Sequence, residues 1–308
     1  MSPAPLPVEF ESEGATLRGR LHLPEGEGPF PAVAMSNGFC ATITMSIQRY
    51  AERFAAGGIA ALIWDHRNFG ISDGEPRQEI NPWLQARGYR SALDFLGGRA
   101  DIDPERLAIW GDSMSGGIVV IVGACDERVR AVVSQVPACG RTPAPPDPDG
   151  ARFERIRETL LNGDISPTPE TTAGPMPVVS TDQVGSPSLL TPLTAFRWFI
   201  EFGARHNSGW VNRATRVIPP TPERYHVSLA APFLRVPTLA LLSPDDEMPG
   251  ANPAVARATF DAVPGPKELV DIPGGHFGIM FDPSPELDLA SSTQLDFLRR
   301  QFLGDEKV

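Results

Sequence analysis

Arg106-Leu-Ala-Ile-Trp-Gly-Asp-Ser-Met-Ser-Gly-Gly117 begins with a short apolar run, Leu107 to Trp110, and breaks at Gly111-Asp-Ser-Met-Ser-Gly116. A second run of small and apolar residues follows, from Gly116 to Ala124, and reads as a buried helix. Strand, sharp turn with a central serine, then helix is the nucleophile elbow, whose tight backbone pushes a hydroxyl out over the edge of a sheet. Strand and helix backbones nearly touch at such a turn, so small residues must flank the serine. Here the pattern is G-x-S-x-S-G, with Ser115 standing where a glycine is usual.

Outward from the elbow the chain alternates strand and helix. Pro7 to Phe10 and Thr16 to Leu23 read as a hairpin around Glu13-Gly14, and Ala32 to Ser36 as a short buried strand ending at Asn37-Gly-Phe-Cys40. Ile47, Tyr50, Ala51 and Phe54 fall at i, i+3, i+4 and i+7, the spacing of a helix that stops at Gly57-Gly58. Ile59 to Trp64 is the next strand, followed by the loop Asp65-His-Arg-Asn-Phe-Gly70. Asn81-Pro82 supplies an N-cap and first-turn proline for a helix presenting Tyr89, Ala92, Leu93 and Leu96 inward. Val129 to Val136 is a strand after the elbow helix.

The rhythm breaks at Pro137. Residues 139–230 contain Pro143-Ala-Pro-Pro-Asp-Pro148 and a loop-like span from Pro167 to Pro192, with one helix around Phe196, Phe199 and Ile200. Ninety such residues exceed what a strand-to-strand connection needs, so they are expected to form an inserted lid or cap. Strand (Val236 to Ser243), helix (Pro253 to Val263), strand (Glu268 to Ile272) and a last helix with Leu295, Leu298 and Phe302 then resume. Alternation of this kind predicts a mostly parallel sheet covered by helices on both faces, built from residues 1–138 and 231–308. Active sites in such sheets gather at the carboxyl ends of the strands.

Composition narrows the function. With 308 residues, 41% hydrophobic and 21% charged, the chain reads as ordinary globular protein. A net charge of −11 argues against nucleic acid or an anionic membrane as partner. No apolar stretch approaches the roughly 18 residues that span a bilayer, and Met1-Ser-Pro-Ala-Pro lacks the features of a secretory signal. Cys40, Cys125 and Cys139 have neither metal-ligand spacing nor an even count, which predicts reduced thiols and a cytoplasmic setting. No metal cluster, phosphate loop or nucleotide fingerprint is visible, so no cofactor is expected.

A serine hydroxyl needs a base to remove its proton and an acid to orient that base. The nucleophile-elbow architecture places them in the order serine, acid, histidine. Of five histidines, His22 and His66 precede Ser113, while His206 and His226 fall in the insertion. His276, in Pro273-Gly-Gly-His-Phe277, follows the last strand on a glycine loop and is the expected base. Leu241-Leu-Ser-Pro-Asp-Asp-Glu247 offers the acid: Asp246 first, Asp245 second, the neighbouring carboxylates being readable as solvated loop charges. Oxyanion stabilisation needs backbone N–H donors, worth roughly 2.7–4 kcal/mol for one donor. Met114 is expected to supply one, and Phe39 the other, with Cys40 as second choice. Cys40, together with the lid aromatics Phe196, Trp198 and Trp210, is expected at the substrate.

Taken together, Asn37-Gly-Phe39, Asp65-His-Arg-Asn-Phe-Gly-Ile-Ser-Asp-Gly74, Gly111-Asp-Ser-Met-Ser115, Asp246 and Gly275-His276 resemble the α/β-hydrolase superfamily. Within it the chain is similar to the dienelactone-hydrolase-like and acyl-peptidase-like branch, which includes polyketide transferases and thioesterase-like hydrolases. The resemblance covers nearly the whole chain outside the insertion. It implies Ser113 as nucleophile, His276 as base and Asp246 as acid, with Phe39 and Met114 lending amides. Two departures stand out: Asn37 where many relatives carry histidine, and Ser115 at the elbow glycine. The expected chemistry is cleavage of a carboxylic ester, lactone or thioester through an acyl-enzyme, on a small and largely apolar acyl substrate. The alternatives are transfer or cyclisation of the same acyl group, and a non-catalytic binding protein on this scaffold.

Overall fold

The computed structural model describes residues 3–165 and 168–304. Strands β1 (Leu6–Ser12) and β2 (Ala15–His22) form the expected antiparallel hairpin around Glu13-Gly14. They are followed by β3 (Phe30–Ser36), α1 (Ile47–Ala56), β4 (Ala60–Trp64), a two-residue β5 (Glu79–Ile80) and α2 (Pro82–Gly97). Next come β6 (Ile102–Asp112), α3 (Ser113–Cys125) and β7 (Val129–Gln135). The Asn81 side chain caps α2 by accepting from the Trp83 and Leu84 amides, which is why that helix starts where the Asn-Pro pair stands.

The main sheet has eight strands in the order β1-β2-β4-β3-β6-β7, then β10 (Thr238–Leu242) and β11 (Lys267–Asp271). From β4 to β11 every pair is parallel; only β1 and β2 run against their neighbours. Because side chains alternate along a strand, each central strand feeds two cores. Ala34, Leu62, Ile109 and Val132 face one, built with α2, α3 and Phe260 of α7 (Pro253–Asp261). Met35, Ile63, Trp110 and Val133 face the other, with Tyr50 and Phe54 of α1 and Phe297 of α8 (Pro285–Phe302). This is the doubly covered, mostly parallel sheet that the hydrophobic pattern implies. No helix among the described residues is long and apolar enough to cross a membrane.

Residues 139–230 hold more regular structure than their prolines suggest. Besides the expected helix, α5 (Leu193–Gly203), they contain α4 (Ala151–Leu161), β8 (Glu170–Met176), β9 (Ala214–Ile218) and α6 (Val227–Ala230). The stretch read as loop from 167 to 192, of which Pro167 lies outside the described residues, therefore includes a strand. Its residues, Glu-Thr-Thr-Ala-Gly-Pro-Met, lack a β pattern, and β8 exists by pairing antiparallel with β9 at the edge of a second sheet, where Pro175 is tolerated. β9 in turn pairs in parallel with β5, which ties the insertion to residues 79–80 of the main body.

Candidate active site

Ser113 opens α3 directly after β6 with φ of +50°, a left-handed conformation that costs a non-glycine residue about 1–3 kcal/mol. The neighbours show why the turn has its composition. A Cβ on Gly111 would stand 2.3 Å from the Ser115 carbonyl oxygen, and one on Gly116 would stand 2.9 Å from the Gln135 oxygen.

Because the strands are parallel, the loops after β3, β6, β10 and β11 meet at one edge of the sheet. His276 Nε2 lies 2.9 Å from Ser113 Oγ, and His276 Nδ1 lies 2.7 Å from Asp246 Oδ2. A carboxylate can only accept, so Nδ1 carries the hydrogen and Nε2 is left to accept from the serine hydroxyl. The side chains of His276 and Asp246 are 2% and 4% exposed, so this chain of contacts is shielded from water. Asp245, the second choice for the acid, is exposed. Glu247 is not the solvated charge expected: Oε2 accepts from the His276 amide at 2.9 Å, and Oε1 accepts from Thr194 Oγ1 on α5.

Phe39 has φ of +61°, and among the described residues its N–H meets no hydrogen-bond acceptor. It lines one cavity with Ser113, Met114 and His276. The loop carrying it is held from beneath. Gln85 Nε2 donates to the Phe39 oxygen at 2.9 Å, and Asn37 Nδ2 donates to the Thr42 oxygen at 2.7 Å. Ser115 Oγ donates to the Asn37 oxygen at 2.8 Å, and His66 Nε2 stands 3.0 Å from that oxygen and 3.1 Å from Ser115 Oγ. Burial lowers the His66 pKa to about 3, so the ring is neutral at ordinary pH and donates from Nε2. Asp112 Oδ1 accepts from the Gly38 amide, while burial raises the Asp112 pKa to about 6. The two sequence departures are thereby one arrangement: the Ser115 hydroxyl fills the space beside the elbow and ties down the loop at Asn37. His66 and Gln85 hold the loop at Asn37 and Phe39, and Glu247 holds the His276 backbone; the sequence reading assigned none of them these contacts, and Ser115 in place of glycine was the one sequence sign of the contact at Asn37.

The cavity has a volume of about 490 Å³. Of the residues expected at the substrate, Trp198 lines it, joined by Phe199 and Phe277. Cys40, Phe196 and Trp210 do not. Cys40 is buried behind the loop, with its thiol pushed up to about 12 by burial. Trp210 packs behind Phe199 with ring centroids 5.4 Å apart, and Phe196 is half-buried against the neighbouring core. Among the described residues no group of three His, Cys, Asp or Glu side chains is arranged to hold a metal ion.

A protein-family model described as "Esterase FrsA-like" matches residues 7–141, which include Ser113. The chain is 41% identical over 170 residues to thiohydrolase aneE of Aspergillus aculeatus, covering 53% of this chain and 52% of that one. It is 34% identical over 165 residues to polyketide transferase claH of Penicillium crustosum, covering 51% and 54%. The matched segment thus spans about half the length of these curated relatives. The solved α/β-hydrolase GrgF from Penicillium sp. sh18 superimposes with a TM-score of 0.72 at 25% identity, over 98% of this chain and all of that one (100%).

Proposed function

We propose that this α/β-hydrolase is a serine hydrolase that cleaves a carboxylic ester, lactone or thioester through an acyl-enzyme on Ser113. The contacts from Ser113 Oγ to His276 Nε2 at 2.9 Å and from His276 Nδ1 to Asp246 at 2.7 Å carry the reading. Ser113 attacks the acyl carbon as His276 takes its proton, and Asp246 stabilises the imidazolium that forms. The N–H groups of Phe39 and Met114 receive the oxyanion. His276 returns the proton to the leaving group, then activates water for deacylation.

Residues 139–230 act as the lid in this reading, and Trp198 and Phe199 hold the apolar part of a small acyl substrate. Nucleic acid and anionic membranes are poor partners for a chain of net charge −11. Three buried free cysteines, Cys40, Cys125 and Cys139, favour the cytoplasm. The aromatic walls over the serine, and a relative named as a polyketide transferase, support acyl transfer to a non-water nucleophile as the second reading.

Intact-mass measurement after incubation with aryl esters, lactones and acyl thioesters tests the chemistry. The expected result is a single acyl adduct that maps to Ser113 and is absent from Ser113→Ala. Product analysis with an added alcohol or amine separates hydrolysis from transfer. An active-site phosphonate that fails to label the protein, or labels Ser113→Ala equally, would favour a binding protein and defeat the proposal.

A further inference from the structure

We infer that the cavity beside Ser113 takes a substrate bearing an anionic group, a carboxylate or a phosphate, held by Arg216 and Arg141. The inference rests on the hydrolase reading and names the substrate class of that site.

The chain as a whole has 27 Lys and Arg against 38 Asp and Glu, yet the cavity wall has the opposite balance. Arg141, Arg216 and Arg224 line it. The carboxylate among its lining residues is Asp112, buried beneath the nucleophile and already accepting from the Gly38 amide. Several arginines elsewhere are paired with acids, as Arg18 is with Asp73 and Arg128 with Asp126. Among the described residues, the guanidinium groups of Arg141, Arg216 and Arg224 have neither an ion pair nor a hydrogen-bond acceptor. Glu223, next to Arg224 in sequence, gives its oxygens to Arg152 and Arg155 at 2.8–3.2 Å instead.

Arg216 projects from β9, and its Cζ sits 5.9 Å from the centroid of the Phe39 ring, beside the oxyanion loop. Arg216 and Arg141 are both solvent-exposed residues, and partial desolvation of the Arg216 guanidinium with the like charge of Arg141 lowers its pKa. Two cations on one cavity wall without a counter-ion repel each other, modestly where water screens them, and an anion between them turns that repulsion into attraction. Guanidinium groups bind carboxylate or phosphate oxygens through paired N–H donors, which gives direction as well as attraction. The expected occupant is therefore not wholly apolar: its body packs on Trp198 and Phe199, and a negative group lies at the β9 wall.

Two matched pairs of substrates test this. The mono-p-nitrophenyl ester of suberic acid and its methyl ester differ by one charge on the acyl side. S-Butyryl-3-mercaptopropanoate and its methyl ester differ by one charge on the leaving group. The expected result is a kcat/KM ratio favouring the charged member of one pair, which identifies the side, and declining with added salt. Arg216→Met or Arg141→Met lowers that ratio by about tenfold or more, the loss of a charged hydrogen bond, and Arg216→Lys lowers it less. A ratio is independent of how much variant folds. Ratios that stay unchanged in both variants overturn the proposal. Should no ester acylate Ser113, the hydrolase reading fails by itself, and calorimetry on Ser113→Ala with octanoate and octyl phosphate still decides the anion site. Binding of either that weakens about tenfold with Arg216→Met supports it. No binding of either overturns it.

Discussion

Gly38→Ala should disable the protein without unfolding it. A Cβ at this position would stand 2.6 Å from the Asp112 carbonyl oxygen, 2.8 Å from Ser113 Cβ and 2.9 Å from the Met114 nitrogen. All three belong to the elbow, two are backbone atoms, and ordinary contact begins near 3.4 Å. The loop must therefore retreat from the serine by about 0.5–0.8 Å, which would stretch a 2.9 Å hydrogen bond at the oxyanion beyond useful length. Loss of one such donor lowers kcat by about 10²–10³. The overpacking itself costs about 1–3 kcal/mol, a few degrees in melting temperature for a chain of this size. Stopped-flow acylation with p-nitrophenyl butyrate, normalised to phosphonate-titratable serine, separates slowed chemistry from missing protein. A variant whose titratable fraction acylates at the wild-type rate would refute the assignment of this loop to the oxyanion.

Three further predictions follow from the buried polar contacts. Ser115→Ala removes one of the hydrogen bonds on the Asn37 oxygen and should cost about 1 kcal/mol in urea unfolding, with a several-fold fall in kcat; unchanged values of both would mean that the loop is held without it. Glu247→Gln cannot accept from both the His276 amide and Thr194, so kcat/KM should fall by about tenfold while Ser113 remains reactive to phosphonate, and a wild-type value would show that His276 needs no such tether. Asp112 ionises near pH 6 when folded and near 3.8 when unfolded, so the native state binds more protons between these values and loses stability as pH rises through them. Asp112→Asn keeps an acceptor for Gly38 and should flatten unfolding free energy between pH 4 and pH 7 by about 3 kcal/mol; an unaltered pH slope would contradict the burial argument.

Local pattern sufficed for the order of elements, the doubly covered sheet and the neighbourhood of the reacting groups. Near-continuous apolar runs in β3, β4, β6 and β7, glycines that nearly touch backbone at 111 and 116, and a histidine on a glycine loop each act within a few residues, where sterics and burial leave a direct trace in residue type. Tertiary structure decided what depends on distant chain segments. Asp245 and Asp246 are chemically identical and adjacent, and only packing of the loop after β10 turns one toward His276 and the other toward water. Trp198, on α5, reaches the cavity, whereas Trp210, on the loop after α5, packs behind Phe199, a difference set by how that loop folds back on the helix. β8 forms because β9 lies beside it, and Arg141 approaches Arg216 across 75 positions of chain. Contacts between segments so far apart leave no periodicity in either one, so it is folding itself that brings Asp246 to His276 and Arg141 and Arg216 to the cavity beside Ser113.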